Sequence, residues 1–104
     1  MQNKLPTTLV QRFEQRTGKV GVIGLGYVGL PLAVEFAKVG FKTVGIDVNA
    51  ERVEQLNAGR SYITDIPNAE LIGLVKKGIL SATTRYDVLR DLDGVMICVP
   101  TPLR

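Results

Sequence analysis

A chain of 104 residues, 45% hydrophobic and 22% charged, reads as one globular domain, long enough for a modest core and small for a complete enzyme. Its net charge of +3 comes from scattered Lys and Arg, with no basic run and no interleaved aromatics, which argues against a nucleic-acid surface. One cysteine and no histidine exclude an internal disulfide, a Cys/His metal site and a Ser-His-Asp triad within these residues.

The first 18 residues carry Lys4, Arg12, Glu14 and Arg16 without an apolar core, so they do not read as a signal peptide. Within them, residues 6–16 suggest a short amphipathic helix. Thr8-x-x-Gln11 resembles a capping box, and Leu9, Val10 and Phe13 share an apolar face opposite Arg12, Gln15 and Arg16. Residues 1–18 are therefore read as a helical extension and 19–104 as the domain proper. No apolar stretch is long enough to span a membrane, and a cytoplasmic location is expected.

From Lys19 the pattern changes. Val20 to Ile23 reads as a short strand running into Gly24-x-Gly26-x-x-Gly29, and an apolar helix pattern follows through Leu30, Leu32, Ala33, Val34, Phe36, Ala37 and Val39. Each glycine has its own use in a dinucleotide fingerprint: a tight turn at Gly24, close approach of a pyrophosphate at Gly26, and helix-on-strand packing at Gly29. The first-turn N–H groups of the helix would face the phosphates, and Pro31 gives up an N–H that has no helical partner. Gly40 is a stop signal. Thr43 to Ile46 reads as a second strand ending at Asp47, 23 positions after Gly24, close to the spacing at which an acid reaches the adenosine ribose. The alternative is a βαβ unit with a tight turn and a solvated acid.

Asn49 is placed to cap a helix over Ala50 to Asn57, with Val53 and Leu56 inward and Gly59 beyond its end. Arg52, in its first turns, either lies along the adenosine edge of a cofactor or is an ordinary surface arginine. Position 48 is Val; without a cation there, Asp47 would repel a 2′-phosphate, so NAD is preferred over NADP. Residues 60–67 show no period. Asn68 is expected to cap a helix through about Lys77, with Leu71, Leu74 and Val75 buried and Gly78 as its stop. Leu80 to Thr83 reads as an edge strand and Tyr86 to Leu92 as a brief helical turn. Val95 to Val99 is an apolar run of the kind found in a parallel strand covered on both faces, with Cys98 as a buried structural thiol. Thr101, between Pro100 and Pro102, either offers a hydroxyl to the cofactor at the switch-point crevice or merely ends the strand.

These residues also carry a resemblance. The run from Val20 to Leu32, Gly-Ile-Asp at 45–47, Leu-Asn-Ala-Gly at 56–59 and Cys-Val-Pro-Thr-Pro-Leu at 98–103 are similar to the UDP-glucose/GDP-mannose dehydrogenase family. Ser61-Tyr62-Ile63 with Ile66-Pro67, and Ala82-Thr83-Thr84, look most like its UDP-N-acetylglucosamine 6-dehydrogenases.

The resemblance implies an NAD-dependent, four-electron oxidation of a UDP-sugar 6-hydroxyl to a carboxylate. It places Gly24, Gly26, Tyr27, Val28 and Gly29 around the pyrophosphate, Asp47 on the adenosine ribose, Arg52 near the adenosine and Thr101 towards the nicotinamide. The family's catalytic cysteine, lysine and acid-base groups belong to later segments, as do its sugar-nucleotide domain and dimerisation helix. Cys98 does not match the family nucleophile. The expectation is thus a Rossmann-type parallel sheet in the order 3-2-1-4, the N-terminal NAD-binding part of a homo-oligomeric dehydrogenase cut off at Arg104, binding NAD without catalysis. A stand-alone NAD(H)-sensing module is the alternative.

Overall fold

Four short parallel strands form one sheet in the order β3-β2-β1-β4, comprising β1 Lys19–Ile23, β2 Lys42–Ile46, β3 Leu80–Thr83 and β4 Gly94–Ile97. The computed structural model describes residues 18–98; the expected helix over 6–16 and the expected role of Thr101 lie outside the described residues. The order is the 3-2-1-4 arrangement expected from the sequence. Strand register is in step: Lys19 lies opposite Lys42, Val20 opposite Gly94, and Thr43 opposite Leu80. The C-terminal ends of all four strands therefore come out along one side of the sheet, where the loops carry the distinctive residues.

Three helices connect the strands: α1 Gly29–Val39, α2 Ala50–Asn57 and α3 Asn68–Lys76. Leu30, Ala33, Val34 and Ala37 repeat at helical spacing and are all buried, which seats α1 against β1 and β2. The helix ends at Gly40, whose φ of 115° is open to glycine, and whose N–H returns to the Ala37 carbonyl. For α2, the Asn49 side chain accepts the N–H groups of Glu51 and Arg52 at 3.0 and 3.2 Å, the cap expected from the sequence. Leu56 is fully buried, while Val53 is only half-buried. The core lies between the sheet and these helices, around Val22, Leu30, Leu56, Leu71 and Leu80. On the helices' outer side, Lys38 bridges Glu35 and Glu70 at 3.4 and 3.3 Å, an exposed link from α1 to α3 of small energetic weight.

Two expectations about the fold need correction. Pro67, not Asn68, occupies the N-cap of α3. Asn68 is the first helical residue, and its side-chain carbonyl accepts the Ser61 N–H at 2.7 Å, so it folds the preceding connector instead of capping the helix. That connector, which shows no period, places Ile63 and Ile66 in the core.

The second correction concerns β4. The strand stops at Ile97, and Val95, Met96 and Ile97 are 40%, 47% and 68% exposed, where cover on both faces was expected. Among the described residues β4 is an edge strand paired with β1 alone. The segment through the 3₁₀ helix Tyr86–Asp91 crosses the face opposite the helices only as far as Leu92, which occupies the space that Gly21 leaves open. An apolar run records what a strand can tolerate around it, and its actual cover depends on which elements pack there.

Candidate NAD-binding site

The turn after β1 is built on two glycines that the protein's own packing demands. Gly24 has φ 94°, and a Cβ on it would strike the Cys98 carbonyl oxygen; its N–H donates to the Ile46 carbonyl at 2.7 Å. A Cβ on Gly29 would strike the Gly24 carbonyl, so α1 can start this close to the strand end only with glycine there. Gly26 is different. A Cβ on it would meet nothing but the Arg52 Nη1 at 3.7 Å, an ordinary contact, so the protein itself does not require a glycine at this position.

Asp47 immediately follows β2 and is 6% exposed. Its Oδ2 accepts the Leu25 N–H at 2.7 Å and its Oδ1 accepts the Asn49 N–H at 2.8 Å. One carboxylate thereby ties the glycine turn to the start of α2. Arg52 sets its Nη1 3.5 Å from the same Oδ2, with its side chain partly in solvent. Tyr62, from the aperiodic connector, donates its hydroxyl to the Leu25 carbonyl at 2.6 Å. Burial pushes the Tyr62 phenol up to about 12; the Asp47 charge acts in the same direction and the Arg52 charge against it. Both sides of the Leu25 residue are thus held, the N–H by Asp47 and the carbonyl by Tyr62. No side chain caps the N-terminus of α1, and its first turn holds no acid, so the positive end of that helix is left to whatever lies in front of it.

A cavity of about 390 Å³ opens at this point. The structure brings seven of the eight sequence-predicted residues to it: Gly24, Gly26, Tyr27, Val28, Gly29, Asp47 and Arg52. Tyr27 and Val28 stand 82% and 69% exposed on the turn, so their main chain is what the site can use with least rearrangement. Ile23, Val48, Tyr86 and Cys98 also line the cavity without having been singled out for it. Val48 was detectable as the neighbour of Asp47, and Tyr86 from its position three residues past the end of β3. Cys98, expected to be buried, is half-buried at the cavity wall, because the end of β4 has a neighbouring strand on one side only. No sequence signal pointed to the contact of Tyr62 with the glycine turn, since Tyr62 and Leu25 are 37 positions apart. Among the described residues no cluster of His, Cys, Asp and Glu could hold a metal ion.

Two consequences can be measured without any ligand. Asp47→Ala strands the buried Leu25 N–H and frees Asn49, which should lower stability by about 2 kcal/mol and the melting temperature by roughly 8–16 °C. Tyr62 supplies the pH dependence. The unfolded chain releases the phenol proton near pH 10, while the folded chain keeps it to about pH 12. The folded state then binds more protons within that window, so this contribution is whole below pH 10 and lost as pH rises towards 12. Denaturant midpoints measured at pH 9.5 and 11.5 should fall less in Tyr62→Phe than in the wild type.

Comparison with known proteins places this geometry in a family. The model for the NAD binding domain of the UDP-glucose/GDP-mannose dehydrogenase family matches residues 18–104. UDP-N-acetyl-D-mannosamine dehydrogenase of Pyrococcus horikoshii is 36% identical over 86 residues, covering 82% of this chain and 21% of that protein. UDP-glucose 6-dehydrogenase of Haloferax volcanii is 37% identical over 84 residues, covering 81% of this chain and 20% of that protein. Among solved structures, a ternary complex of GDP-mannose dehydrogenase from Pseudomonas aeruginosa superposes with a TM-score of 0.76 at 34% identity, over 82% of this chain and 20% of that one. The chain spans about a fifth of the length of these relatives. With the glycine turn, the acid and the strand order in agreement, the chain belongs to the UDP-glucose/GDP-mannose dehydrogenase family and carries its NAD-binding domain.

Proposed function

We propose that the chain holds NAD in the cavity at the C-terminal ends of the strands, as the cofactor-binding part of a cytoplasmic, homo-oligomeric UDP-sugar 6-dehydrogenase. The observation that carries this is Gly26. Gly24 and Gly29 are explained by the fold, whereas the space beside Gly26 is open and faces a cavity bounded by an uncapped helix N-terminus and Asp47. A glycine that the fold does not need is explained by a ligand that does.

In this reading the main chain from Gly24 to Gly29, including Tyr27 and Val28, surrounds the pyrophosphate at the positive end of α1. Asp47 accepts from the adenosine ribose hydroxyls and Arg52 lies along the adenosine, while the family resemblance assigns Thr101 to the nicotinamide end. The cofactor's chemistry is hydride acceptance, and two NAD per sugar balance the four electrons between an alcohol and a carboxylate. This chain's share is to bind and orient; by the family resemblance the chemistry proper belongs to later segments, so these 104 residues alone bind NAD without turning over.

For the sugar, Ser61-Tyr62-Ile63 and Ala82-Thr83-Thr84 favour UDP-N-acetylglucosamine. A second reading, UDP-N-acetyl-D-mannosamine, is favoured by relatives bearing that name at 36–42% identity. An enzyme joining this domain to its sugar-nucleotide domain should show kcat/KM at least tenfold higher for the N-acetylglucosamine compound. The reverse preference would establish the second reading.

The cofactor reading is tested by thermal melts. A hundredfold excess of NAD over its dissociation constant should raise stability by about 2.7 kcal/mol, or roughly 10–20 °C, and NADP should do less at equal concentration. Gly26→Ala should melt like the wild type without NAD and lose most of the shift. An undiminished shift in that variant would show that the turn does not hold the pyrophosphate.

A further inference from the structure

Tyr62 stands behind the glycine turn, outside the cavity in front of it. It lines a neighbouring cavity of about 300 Å³ and is absent from the lining of the 390 Å³ one, while Gly26 lines both. The aperiodic connector delivers the ring to this place and is itself pinned at several points. Ile63 and Ile66 are buried in the core, and the half-buried Tyr62 ring packs against the same core. The Ser61 hydroxyl donates to the Ile63 carbonyl at 2.8 Å and accepts the Ile63 N–H at 3.2 Å. The Asn68 side chain accepts the Ser61 N–H at 2.7 Å. From this strap the Tyr62 hydroxyl reaches the Leu25 carbonyl at 2.6 Å.

That carbonyl belongs to the peptide unit whose other end is the Gly26 N–H. The peptide bonds of the described residues are trans, and in a planar trans unit the C=O and N–H point in opposite directions. Holding the Leu25 oxygen towards Tyr62 therefore aims the Gly26 N–H away from Tyr62. Among the described residues that N–H has no hydrogen-bond partner. Asp47 does not fix this unit, because the Leu25 N–H that it takes belongs to the preceding one. With glycine at 26, the unit can turn over at little steric cost and set its oxygen where the N–H now points. We infer that Tyr62 is a positioning residue for NAD binding, its hydroxyl locking the Leu25–Gly26 peptide with the N–H towards the pyrophosphate. This rests on the NAD reading above and adds to it a residue that does not touch the cofactor.

NMR titration of the isotope-labelled 104-residue chain with NAD and with adenosine tests the assignment. The wild type is compared with Tyr62→Phe, which loses the hydroxyl and keeps the ring. In the wild type the Gly26 amide proton should move downfield as NAD saturates, because an N–H to a phosphate oxygen is a charge-assisted hydrogen bond. In Tyr62→Phe, NAD should bind at least threefold and up to about tenfold more weakly, and the Gly26 signal should move less at saturation. Adenosine has the ribose and base without a phosphate, so it should bind the variant within twofold of the wild type. A general loosening of the fold would weaken both ligands alike. A loss of less than threefold for NAD, or an equal loss for adenosine, would overturn the role of Tyr62 while leaving the NAD reading intact. If the variant does not fold, a wild-type Gly26 amide unmoved by saturating NAD would overturn it in the same way. A wild type that binds no NAD would overturn both.

Discussion

The Asp47 carboxylate is the constraint on which the cofactor end of this molecule depends. It takes the Leu25 N–H from the glycine turn and the Asn49 N–H from the cap of α2, and it does so almost out of contact with solvent. A buried carboxylate is tolerated only when its lone pairs are occupied, and here main-chain donors occupy them from two elements that are adjacent only because β1 and β2 pair in register. Tyr62 closes the arrangement from the other side through the Leu25 carbonyl. The shape of the turn, and with it the opening beside Gly26, follows from these three bonds more than from the glycines, which allow the turn without fixing it.

Much of this was legible in the sequence, for identifiable reasons. The strand order, the glycine turn, the acid and the capping Asn49 are local signals, each confined to a few residues whose backbone demands are strict. What was illegible depended on partners far apart. The 60–67 connector has no periodicity because Ile63 and Ile66 enter the core from a chain that is neither helix nor strand. Asn68 looked like a cap because Asn commonly is one, and no local rule says that its acceptor will be claimed by Ser61 seven residues earlier. At the site, the main-chain and acidic positions follow a fixed spacing, whereas apolar cavity walls such as Val48 and Tyr86 follow none.

The apolar run in β4 taught the opposite lesson. Composition alone suggested an interior strand, yet among the described residues its side chains face outward and one of its edges is unpaired. Edges of this kind are usually blunted by charge, proline or a bulge, and Val95 to Ile97 show none of these. Among the described residues, side chains suited to an interior therefore stand at a border.

The double use of Asp47 also bears on how this site could change over time. Altering cofactor preference in a fold of this kind most simply means replacing the acid with something neutral or basic. Here a replacement without a side-chain oxygen removes acceptors from two elements before any new ligand arrives, so the first step of that path runs through a less stable protein. Position 48 is exposed and free of such duties, and Arg52 already supplies a cation 3.5 Å from the acid. Drift towards a different nucleotide has its easier route through those neighbours, with Asp47 the last residue to yield.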